Sequence, residues 1–436
     1  VVRIFKAAQG RRLSSIECHD IMCKIGEVVV VGGVRRSAMI SLSNLSDDRM
    51  RHAKSGSWWE NDPQRALANN SVSYTEKPDA ISFMREWMAL VESGSGERGI
   101  FNREASKKQA AKYGRRNPDY EFGTNPCSEI ILRPYQFCNL TEVVVRATDS
   151  VEDLARKVRC ATILGTIQST FTRFPYLRKV WQRNTEEERL LGVSLTGIMD
   201  NKLMTTQNEG LEKTLEHLRN IAVSTNMEWS KRLGIEPSTS ITCVKPSGTV
   251  SQLVDSASGI HARHSDYYIR TVRGDNKDPL TQFMKDQGIP NEPDVMKPDA
   301  TTVFSFPVKS PDGAIVTKDL TAIQQLETWL IYQRHWCEHK PSITVNVQKD
   351  EWFEVGAFVY KHFDEMSGVS FLPYNEHTYQ QAPYQEVGQT DYDMLLSLMP
   401  EKIDWTKLSE YEQEDNTVGM QSMACSGDVC EIVDLT

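Results

Sequence analysis

The stretch of residues 123–130, Gly-Thr-Asn-Pro-Cys-Ser-Glu-Ile, constrains the fold of this chain most, because a proline directly precedes a cysteine and a carboxylate. Pro126 fixes its own φ and has no N–H to donate, which favours a tight loop tip over a paired central strand. In an extended segment alternate side chains leave the same face, so Asn125, Cys127 and Glu129 are expected to point at one target. The pattern predicts a rigid finger loop that presents Cys127.

A second cysteine, Cys138, follows beyond another turn signal at Pro134. A strand, a turn and a returning strand would bring its sulfur towards that of Cys127. Cysteine is also often buried as a small hydrophobe, which is the alternative interpretation of both residues. The spacing alone does not decide between the two interpretations.

Composition and charge exclude several classes of function. The 436 residues are 39% hydrophobic and 25% charged, which is typical of a globular chain. This length corresponds to about three domains of roughly 150 residues, or to one larger α/β barrel. The net charge of -9 argues against a general nucleic-acid or membrane-surface binder, so any phosphate site has to be built locally.

The cysteine content and the apolar runs bear on the cellular setting. Nine cysteines scattered along the chain fit reduced thiols better than a disulfide framework, which predicts a cytoplasmic location. No apolar run approaches the roughly 20 residues needed to span a bilayer. The first residues, Val-Val-Arg-Ile-Phe, resemble the middle of a fold, so we expect the chain to be a fragment or a processed piece.

Helical and strand patterns alternate along the sequence. Apolar spacing and end signals predict helices at residues 15–25, 79–94, 151–167, 211–233, 326–337 and 355–362. β-prone or alternating runs predict strands at residues 28–31, 38–42, 191–198, 241–245, 342–347 and 368–373. The alternation favours an α/β layer or barrel.

Two short segments have the composition of phosphate-binding or base-binding loops. In the first, two glycines precede two arginines and a serine (Gly32, Gly33, Arg35, Arg36, Ser37). Such a loop can bring guanidinium groups against a phosphate or a base, although a solvated basic turn explains the same residues. The second follows Lys245 and offers small residues at an apparent helix start (Ser247, Gly248, Thr249, Val250, Ser251). Free amides at a helix start hold phosphate, but an ordinary capped helix start remains the alternative.

Two further groups of residues suit metal or redox chemistry. His261 and His264 are spaced for a metal, but no cysteine or carboxylate supports them at matching spacing, so we predict no metal site. Cys425 and Cys430 lie close to the end of the chain, where exposed thiols exchange readily. We interpret this pair as redox-active, with a zinc half-site as the main alternative.

Taken together, these motifs resemble class II, adenosylcobalamin-dependent ribonucleotide reductase. The likeness rests on several motifs that follow one another along the chain in that family's order. They are residues 32–37, residues 125–130, Cys138-Asn-Leu140, residues 245–250, Tyr267-Tyr-Ile-Arg270 and the terminal cysteine pair. Residues 138–143 and 245–248 most resemble the monomeric ribonucleoside-triphosphate reductases. The resemblance implies a ten-stranded α/β barrel over residues 1–410 with Cys127 on a central finger loop, and a flexible redox tail over residues 411–436.

The resemblance also implies roles for individual residues. Cys127 would carry a thiyl radical generated from adenosylcobalamin, Glu129 would act as base on the 3′-hydroxyl, and Asn125 would hydrogen-bond the ribose. Cys138 would be one of the two reducing cysteines, and Cys425 with Cys430 would pass electrons from thioredoxin. Residues 247–251 would hold the substrate phosphates, and residues 32–37 would relay the identity of a deoxynucleotide effector.

One departure from the family pattern concerns the second reducing cysteine. It would lie on a strand well before the effector loop, whereas only Cys18 and Cys23 precede residues 32–37 here, on a predicted helix. We therefore expect this chain to be the C-terminal catalytic portion, which needs an N-terminal complementing chain for turnover. A diphosphate-using class II reductase, the large subunit of the iron-dependent class, and a non-catalytic nucleotide-binding or redox fragment are the alternatives.

Overall fold

The fold is described from a computed structural model, which covers residues 1–28, 30–31, 34–35, 37–295, 297–374 and 381–412. The helices are α1 Val2–Ala7, α2 Ser15–Gly26, α3 Asp48–Arg51, α4 Trp58–Asn61, α5 Ala80–Ser93, α6 Arg103–Ala111, α7 Val151–Gln168, α8 Lys179–Glu188, α9 Leu211–Leu233, α10 Val250–Leu253, α11 Pro279–Asp286, α12 Ala322–His335, α13 Trp352–Lys361, α14 Gln389–Leu398 and α15 Leu408–Tyr411. Short 3₁₀ turns occur at Pro63–Leu67, Ile198–Asp200, Lys202–Met204, Thr317–Asp319 and Trp405–Lys407.

The strands are short, and helices or loops separate most of them. They are β1 Val30–Val31, β2 Val34–Arg35, β3 Met39–Ser43, β4 Ala68–Tyr74, β5 Gly99–Asn102, β6 Gly123–Thr124, β7 Ile131–Leu132, β8 Asn139–Val144, β9 Leu191–Thr196, β10 Thr242–Cys243, β11 Tyr267–Asp275, β12 Asn291–Pro293, β13 Thr301–Lys309, β14 Thr344–Val347, β15 Gly368–Pro373 and β16 Tyr384–Glu386.

Eight of these strands follow one another in a single hydrogen-bonded succession. A three-stranded sheet has the order β10-β9-β8, and a five-stranded sheet has the order β14-β15-β5-β4-β3. A parallel bridge between Val244 and Pro341, just outside β10 and β14, connects the two sheets. Neighbouring strands are parallel throughout, except that β15 and β5 run antiparallel. The succession thus consists of a five-stranded part and a three-stranded part. Its closure into a ten-stranded barrel stays a prediction.

A separate antiparallel sheet, in the order β12-β13-β11-β16, lies beyond this succession. The pairing of β11 with β13 extends over nine residues, from Tyr267 opposite Lys309 to Asp275 opposite Thr301. The sequence analysis placed this region in the barrel without predicting a second sheet, because the β11 segment was considered only as a motif.

The main hydrophobic core lies between the eight-stranded succession and the helices that cover it. It includes Leu191, Val193 and Leu195 of β9, which are fully buried. The helix α7 packs on β8 and β9, and α9 packs on α7. Helices cover both faces of a parallel sheet, which explains why all six residues of β9 are buried.

Most of the predicted helices are confirmed, because their end signals are strong. α9 occupies residues 211–233 as predicted and ends at Gly234, whose φ is +68°. α5 begins after Asp79, whose side chain accepts hydrogen bonds from the amides of Ile81 and Ser82. The predicted strand at residues 241–245 is shorter than expected, and the helix start after Lys245 is only the single turn α10.

No helix in the described part of the chain combines the length and the apolar character that crossing a bilayer requires.

Trp329 of α12 supports the junction between the two sheets. Its indole is fully buried, and its Nε1 donates a hydrogen bond to the carbonyl of Pro341 at 2.9 Å. We predict that Trp329→Phe lowers the free energy of unfolding by about 2–4 kcal/mol, because it leaves a buried carbonyl unpaired and a small cavity. Chemical denaturation measures this loss, and Trp59→Phe at an exposed site is the control. A loss no larger than that of the control would contradict the role of this indole.

Candidate active site

The predicted finger loop is a short hairpin. β6 and β7 pair antiparallel, with Gly123 opposite Leu132 and Thr124 opposite Ile131. The Thr124 hydroxyl donates a hydrogen bond to the carbonyl of Ile130 at 2.8 Å and closes the base of the loop. Cys127 therefore lies at the tip of a constrained loop, as the position of Pro126 predicted.

The conformation of the tip differs from the extended segment that the sequence suggested. The amide of Ser128 donates to the carbonyl of Asn125 at 2.8 Å, and Ser128 has a φ of +64°, so residues 125–128 form a turn. The Asn125 side-chain oxygen accepts a hydrogen bond from the Ile130 amide at 3.0 Å within the loop. The argument from alternating side chains was therefore wrong, since a left-handed residue interrupts the extended backbone.

Contacts from β4 and from the segment that precedes β14 hold the tip in place. Asn69 of β4 donates through Nδ2 to the carbonyl of Pro126 at 2.9 Å. Ser342, which precedes β14, donates through its hydroxyl to the carbonyl of Cys127 at 2.5 Å. The amide of Lys340 donates to the carbonyl of Glu129 at 3.2 Å. These bonds fix the backbone of the tip, and with it the direction of the thiol.

Lys245 connects the thiol with the carboxylate. Its Nζ lies 3.6 Å from the sulfur of Cys127 and 3.5 Å from Oε1 of Glu129. Burial by itself lowers the pKa of Lys245, but the nearby Glu129 carboxylate and Cys127 sulfur outweigh it and raise that pKa above its usual value. The Glu129 side chain is 0% exposed, and neither of its oxygens has a hydrogen-bond partner among the described residues. Within the described residues the carboxylate is thus paired with an ammonium group but receives no hydrogen bond.

Cys138 lies beside the base of the finger, at the start of β8. A side chain at Gly192 of β9 would come within 3.0 Å of the Ile130 side chain and 3.4 Å of the Cys138 sulfur, so all three meet at one point. Burial, with the charge of Glu129 adding to it, raises the pKa of the Cys138 thiol well above its usual value. None of the cysteines in the described ranges forms a disulfide. The structure thus places Cys138 beside Ile130 at the base of the finger, within the electrostatic influence of Glu129, while an approach of its sulfur to that of Cys127 stays a prediction.

A cleft opens on one side of the tip. It contains about 740 Å³ of space between atoms, part of it open to solvent, and its walls come from the tip and from the strands β3, β4, β5, β14 and β15. Polar walls are provided by Asn70, Ser71 and Glu97. Oε2 of Glu97 is buried and has no hydrogen-bond partner in the described part of the chain, and burial raises the pKa of Glu97 against the opposing effect of Lys54.

The predicted phosphate segment lies directly after Lys245, but its two serines face inward. The Ser247 hydroxyl accepts a hydrogen bond from the Ser251 amide at 3.0 Å, and the Ser251 hydroxyl donates to the carbonyl of Ser247. Gly248, Thr249 and Val250 are exposed. A phosphate at this turn would therefore contact the exposed residues rather than the two serine side chains.

Several predicted residues are only partly described or lie outside the described ranges. Gly32, Gly33 and Arg36 are not described, but β1 and β2 pair antiparallel on either side of the two glycines. Arg35 belongs to β2, and Ser37 is half-buried. Cys425 and Cys430 lie outside the described residues, so their predicted redox role is not addressed by the fold.

Cys18 and Cys23 lie on α2, as the sequence predicted for this segment. Cys18 is exposed, whereas Cys23 is buried with its sulfur 3.7 Å from Nδ1 of His19.

His261, one of the two histidines considered as metal ligands, makes ordinary hydrogen bonds to the backbone. His261 accepts a hydrogen bond from the Thr344 amide on Nε2 at 3.1 Å, and its Nδ1 lies 3.0 Å from the carbonyl of Ser258. No group of three potential ligands is gathered within the part of the chain that the structure describes.

The sequence analysis missed four residues that shape the site: Asn69, Lys245, Lys340 and Ser342. Lys245 was recognised as the end of a strand and the first residue of the motif 245–250, without a role at the finger, and Ser342 as the start of a strand. Only the fold brings these residues to a loop more than 50 positions away in the chain. A lysine at the end of an apolar run was the one signal that the sequence offered.

Comparison with known proteins shows how similar the sequence is to its relatives and how much of the chain the similarity covers. No family model matches the chain. Adenosylcobalamin-dependent ribonucleoside-triphosphate reductase of Levilactobacillus brevis is 28% identical over 431 residues, which cover 90% of this chain and 55% of that protein. The proteins of the same name from Lacticaseibacillus paracasei and Euglena gracilis are 28% and 27% identical and cover 99% and 98% of this chain. The chain spans roughly 55 to 61% of the length of these curated relatives.

The solved structures decide the fold. A crystal structure of B-12 dependent (class II) ribonucleotide reductase superposes with a TM-score of 0.79 at 23% identity, covering 96% of this chain and 61% of that one. The fold is that of class II ribonucleotide reductase. The class Id ribonucleotide reductase alpha subunit of Actinobacillus ureae matches less well, with a TM-score of 0.56 at 13% identity. The ribonucleotide reductase fold predicted from the motifs is thereby confirmed.

The contact of Lys245 with Cys127 leads to a test of thiol reactivity. An ammonium group beside a sulfur stabilises the thiolate, which is the form that reacts with alkylating agents. We predict that Lys245→Met slows the alkylation of Cys127 by iodoacetamide at pH 8 by roughly three- to tenfold. Peptide mass spectrometry measures the rate, with the exposed Cys160 as internal reference. Equal rates at Cys127 in both proteins, relative to Cys160, would show that the ammonium does not act on the sulfur.

His339 leads to a prediction about acid stability. Its Nδ1 accepts a hydrogen bond from the Ile131 amide at 3.3 Å, and its Nε2 donates to the carbonyl of Leu191 at 2.9 Å. Burial, with Arg116 adding to it, lowers the pKa of His339 to about 3. In the unfolded chain His339 therefore binds a proton near pH 6.5, whereas in the folded chain it stays neutral until about pH 3. The free energy of unfolding consequently falls as the pH decreases from 6.5 towards 3.

Between pH 7 and pH 5 this group alone lowers the free energy of unfolding by about 2 kcal/mol. We predict that His339→Gln, although less stable at pH 7, loses less stability over that interval, and that His217→Gln at an exposed site keeps the wild-type slope. Denaturation at a series of pH values measures the difference. A variant with the unchanged wild-type slope would rule out a buried neutral imidazole.

Proposed function

We propose that this chain carries the substrate-reducing centre of an adenosylcobalamin-dependent ribonucleoside-triphosphate reductase. The observation that carries the proposal is the arrangement at the finger tip, where one ammonium group lies 3.6 Å from the Cys127 sulfur and 3.5 Å from the Glu129 carboxylate. A hydrogen-abstracting sulfur and a general base must act on adjacent atoms of the same ribose, which requires that they be held side by side. The curated relatives bearing this name support the choice of reaction.

In this proposal Cys127 and Glu129 share the first half of the chemistry. A Cys127 thiyl radical takes the hydrogen atom from C3′ of the ribose, while Glu129 accepts the proton of the 3′-hydroxyl. The 2′-hydroxyl then leaves as water. Lys245 stays protonated beside the carboxylate, because its pKa is raised, and it compensates the charge of Glu129 before proton transfer.

Two thiols supply the electrons for the second half. Their oxidation to a disulfide provides two electrons and two protons. One proton leaves with the 2′-hydroxyl as water, and the other proton with the two electrons places hydrogen on C2′; Cys138 supplies one of these thiols. The C3′ hydrogen returns from Cys127 at the end of the cycle, which restores the sulfur radical. Cys425 and Cys430 would then reduce the disulfide with electrons from thioredoxin.

The cleft beside the tip suits the adenosyl part of the proposed cofactor. Adenosylcobalamin, when bound, supplies the radical that removes the hydrogen atom of the Cys127 thiol. Ser71 could hydrogen-bond ribose hydroxyls or adenine nitrogens, as could Nδ2 of Asn70, whose Oδ1 lies 3.1 Å from Nε2 of His19. Oε2 of Glu97, which has no hydrogen-bond partner among the described residues, offers a further acceptor. Cys127 lines the same cleft, so the residues present fit such a group.

The nucleotide phosphates would lie near the turn after Lys245, on the exposed side of residues 248–250. Residues 32–37 would relay the identity of a deoxynucleotide effector. Because the chain spans little more than half of its curated relatives, we also propose that turnover requires a complementing N-terminal polypeptide.

Thioredoxin-dependent formation of deoxynucleotides tests this function. The chain is assayed with adenosylcobalamin and each ribonucleoside diphosphate and triphosphate, alone and with the N-terminal portion of a relative. We predict product only from triphosphates in the complemented enzyme, a loss of at least about 1000-fold in Cys127→Ser, and nearly full activity in the control Cys160→Ser. Activity of Cys127→Ser close to that of the control would refute the radical role, and activity on diphosphates alone would favour a diphosphate reductase.

A further inference from the structure

Lys340 is a fully buried lysine to which the proposed reaction gives no role. It lies on the segment that joins the two sheets, next to Pro341, and its residue is 0% exposed. An amine is costly to bury unless its surroundings satisfy it. A lysine in this position therefore requires a specific explanation.

The surroundings of the amine are shaped to receive it. Nζ donates a hydrogen bond to the hydroxyl of Ser128 at 2.6 Å and lies 5.3 Å above the ring of Phe101. Gly368 of β15 provides the space, because a side chain at that position would overlap Nζ and approach the Ser128 hydroxyl to 3.2 Å. Residues of three separate segments thus form a narrow channel that leads the amine to the finger tip.

The acceptor of this hydrogen bond is the strained residue of the tip. Ser128 has a φ of +64°, a region that residues other than glycine avoid unless the surrounding structure holds them there. Its amide closes the turn to Asn125, and it separates Cys127 from Glu129 in the chain. Whatever fixes Ser128 also fixes the relative direction of the thiol and the carboxylate.

We propose that Lys340 is a positioning residue, which locks Ser128 in its left-handed conformation and so holds Cys127 and Glu129 at a fixed separation. The proposal rests on the proposed function only in taking Cys127 as the reactive thiol.

The electrostatics of the site are compatible with this role. Burial lowers the pKa of Lys340 to about 7, while Glu129 opposes the shift. Both the charged and the neutral amine carry N–H groups, so either form can donate to Ser128. The hydrogen bond therefore survives titration of the amine.

Hydrogen exchange of the finger amides tests the lock without requiring turnover. The amides of Ser128 and Ile130 are hydrogen-bonded within the turn, to the carbonyl and side-chain oxygens of Asn125. We expect Lys340→Met and Ser128→Ala each to raise their exchange at least fivefold, and the double variant to add no more than twofold to the larger single effect. The exchange rates of the β9 amides should stay within twofold of their wild-type values. Lys157→Met, on α7, is the matched lysine control.

Unchanged finger exchange in Ser128→Ala, or effects that multiply in the double variant, would overturn the proposal. An equal rise in β9 would also overturn it, because that result indicates general destabilisation. Should Lys340→Met fail to fold, Ser128→Ala together with Gly368→Ala, which displaces the amine, provides the same comparison.

Steady-state kinetics of the complemented enzyme provide the functional measurement. Because Lys340 does not touch the nucleotide in this proposal, Lys340→Met should lower kcat at least tenfold and leave KM within twofold of the wild-type value. A large rise in KM would contradict this role. Because exchange is measured on the chain itself, a failure of the lock and a failure of the radical chemistry give different results.

Discussion

The site depends on the sharing of one ammonium group between a sulfur and a buried carboxylate. A carboxylate removed from water loses several kcal/mol of hydration free energy, which only a cation or hydrogen bonds can offset. Glu129 has no hydrogen bond to its oxygens within the described residues, and its Oε1 lies 3.5 Å from the Lys245 ammonium. Satisfying both oxygens with protein donors would stabilise the fold more, but it would leave the carboxylate unable to accept a proton from a bound molecule.

The strand succession explains how residues so distant in sequence reach this point. Lys245 follows the end of β10, and Lys340 and Ser342 precede β14, so the bridge between Val244 and Pro341 brings the three together. The finger hairpin contacts this junction on one side and Asn69 of β4 on the other. Within the five-stranded sheet, the antiparallel pair of β15 and β5 lies between β14 and β4, the strands that carry or adjoin these contacts.

Much of the fold could be predicted from the sequence, because its signals are local. The cap at Asp79, the left-handed Gly234 and the apolar run of β9 each act within a few residues, and these elements were predicted with small errors at their ends. The loop tip at Pro126 was predicted for the same reason. The positive φ of Ser128 was not, because a serine gives no local sign of a conformation that Lys340 supports from 212 positions away.

The groups that we propose to react are apparent in the sequence, whereas the groups that contact and position them are not. Cysteine, glutamate and asparagine close together carry a chemical meaning that a sequence displays. A lysine or a serine at a strand end is common, and its meaning depends on a neighbour that only the folded chain provides. The second antiparallel sheet was missed for a related reason, since the pairing of β11 with β13 joins segments that have no common motif.

The most direct test of the account is an experimental structure of the complemented protein with a ribonucleoside triphosphate bound. The account predicts C3′ of the ribose within about 4 Å of the Cys127 sulfur, with the 3′-hydroxyl hydrogen-bonded to Glu129 and Lys245 still beside both side chains. A nucleotide bound with its ribose away from the finger tip, or a Glu129 carboxylate turned away from Lys245 and towards the protein interior, would contradict it.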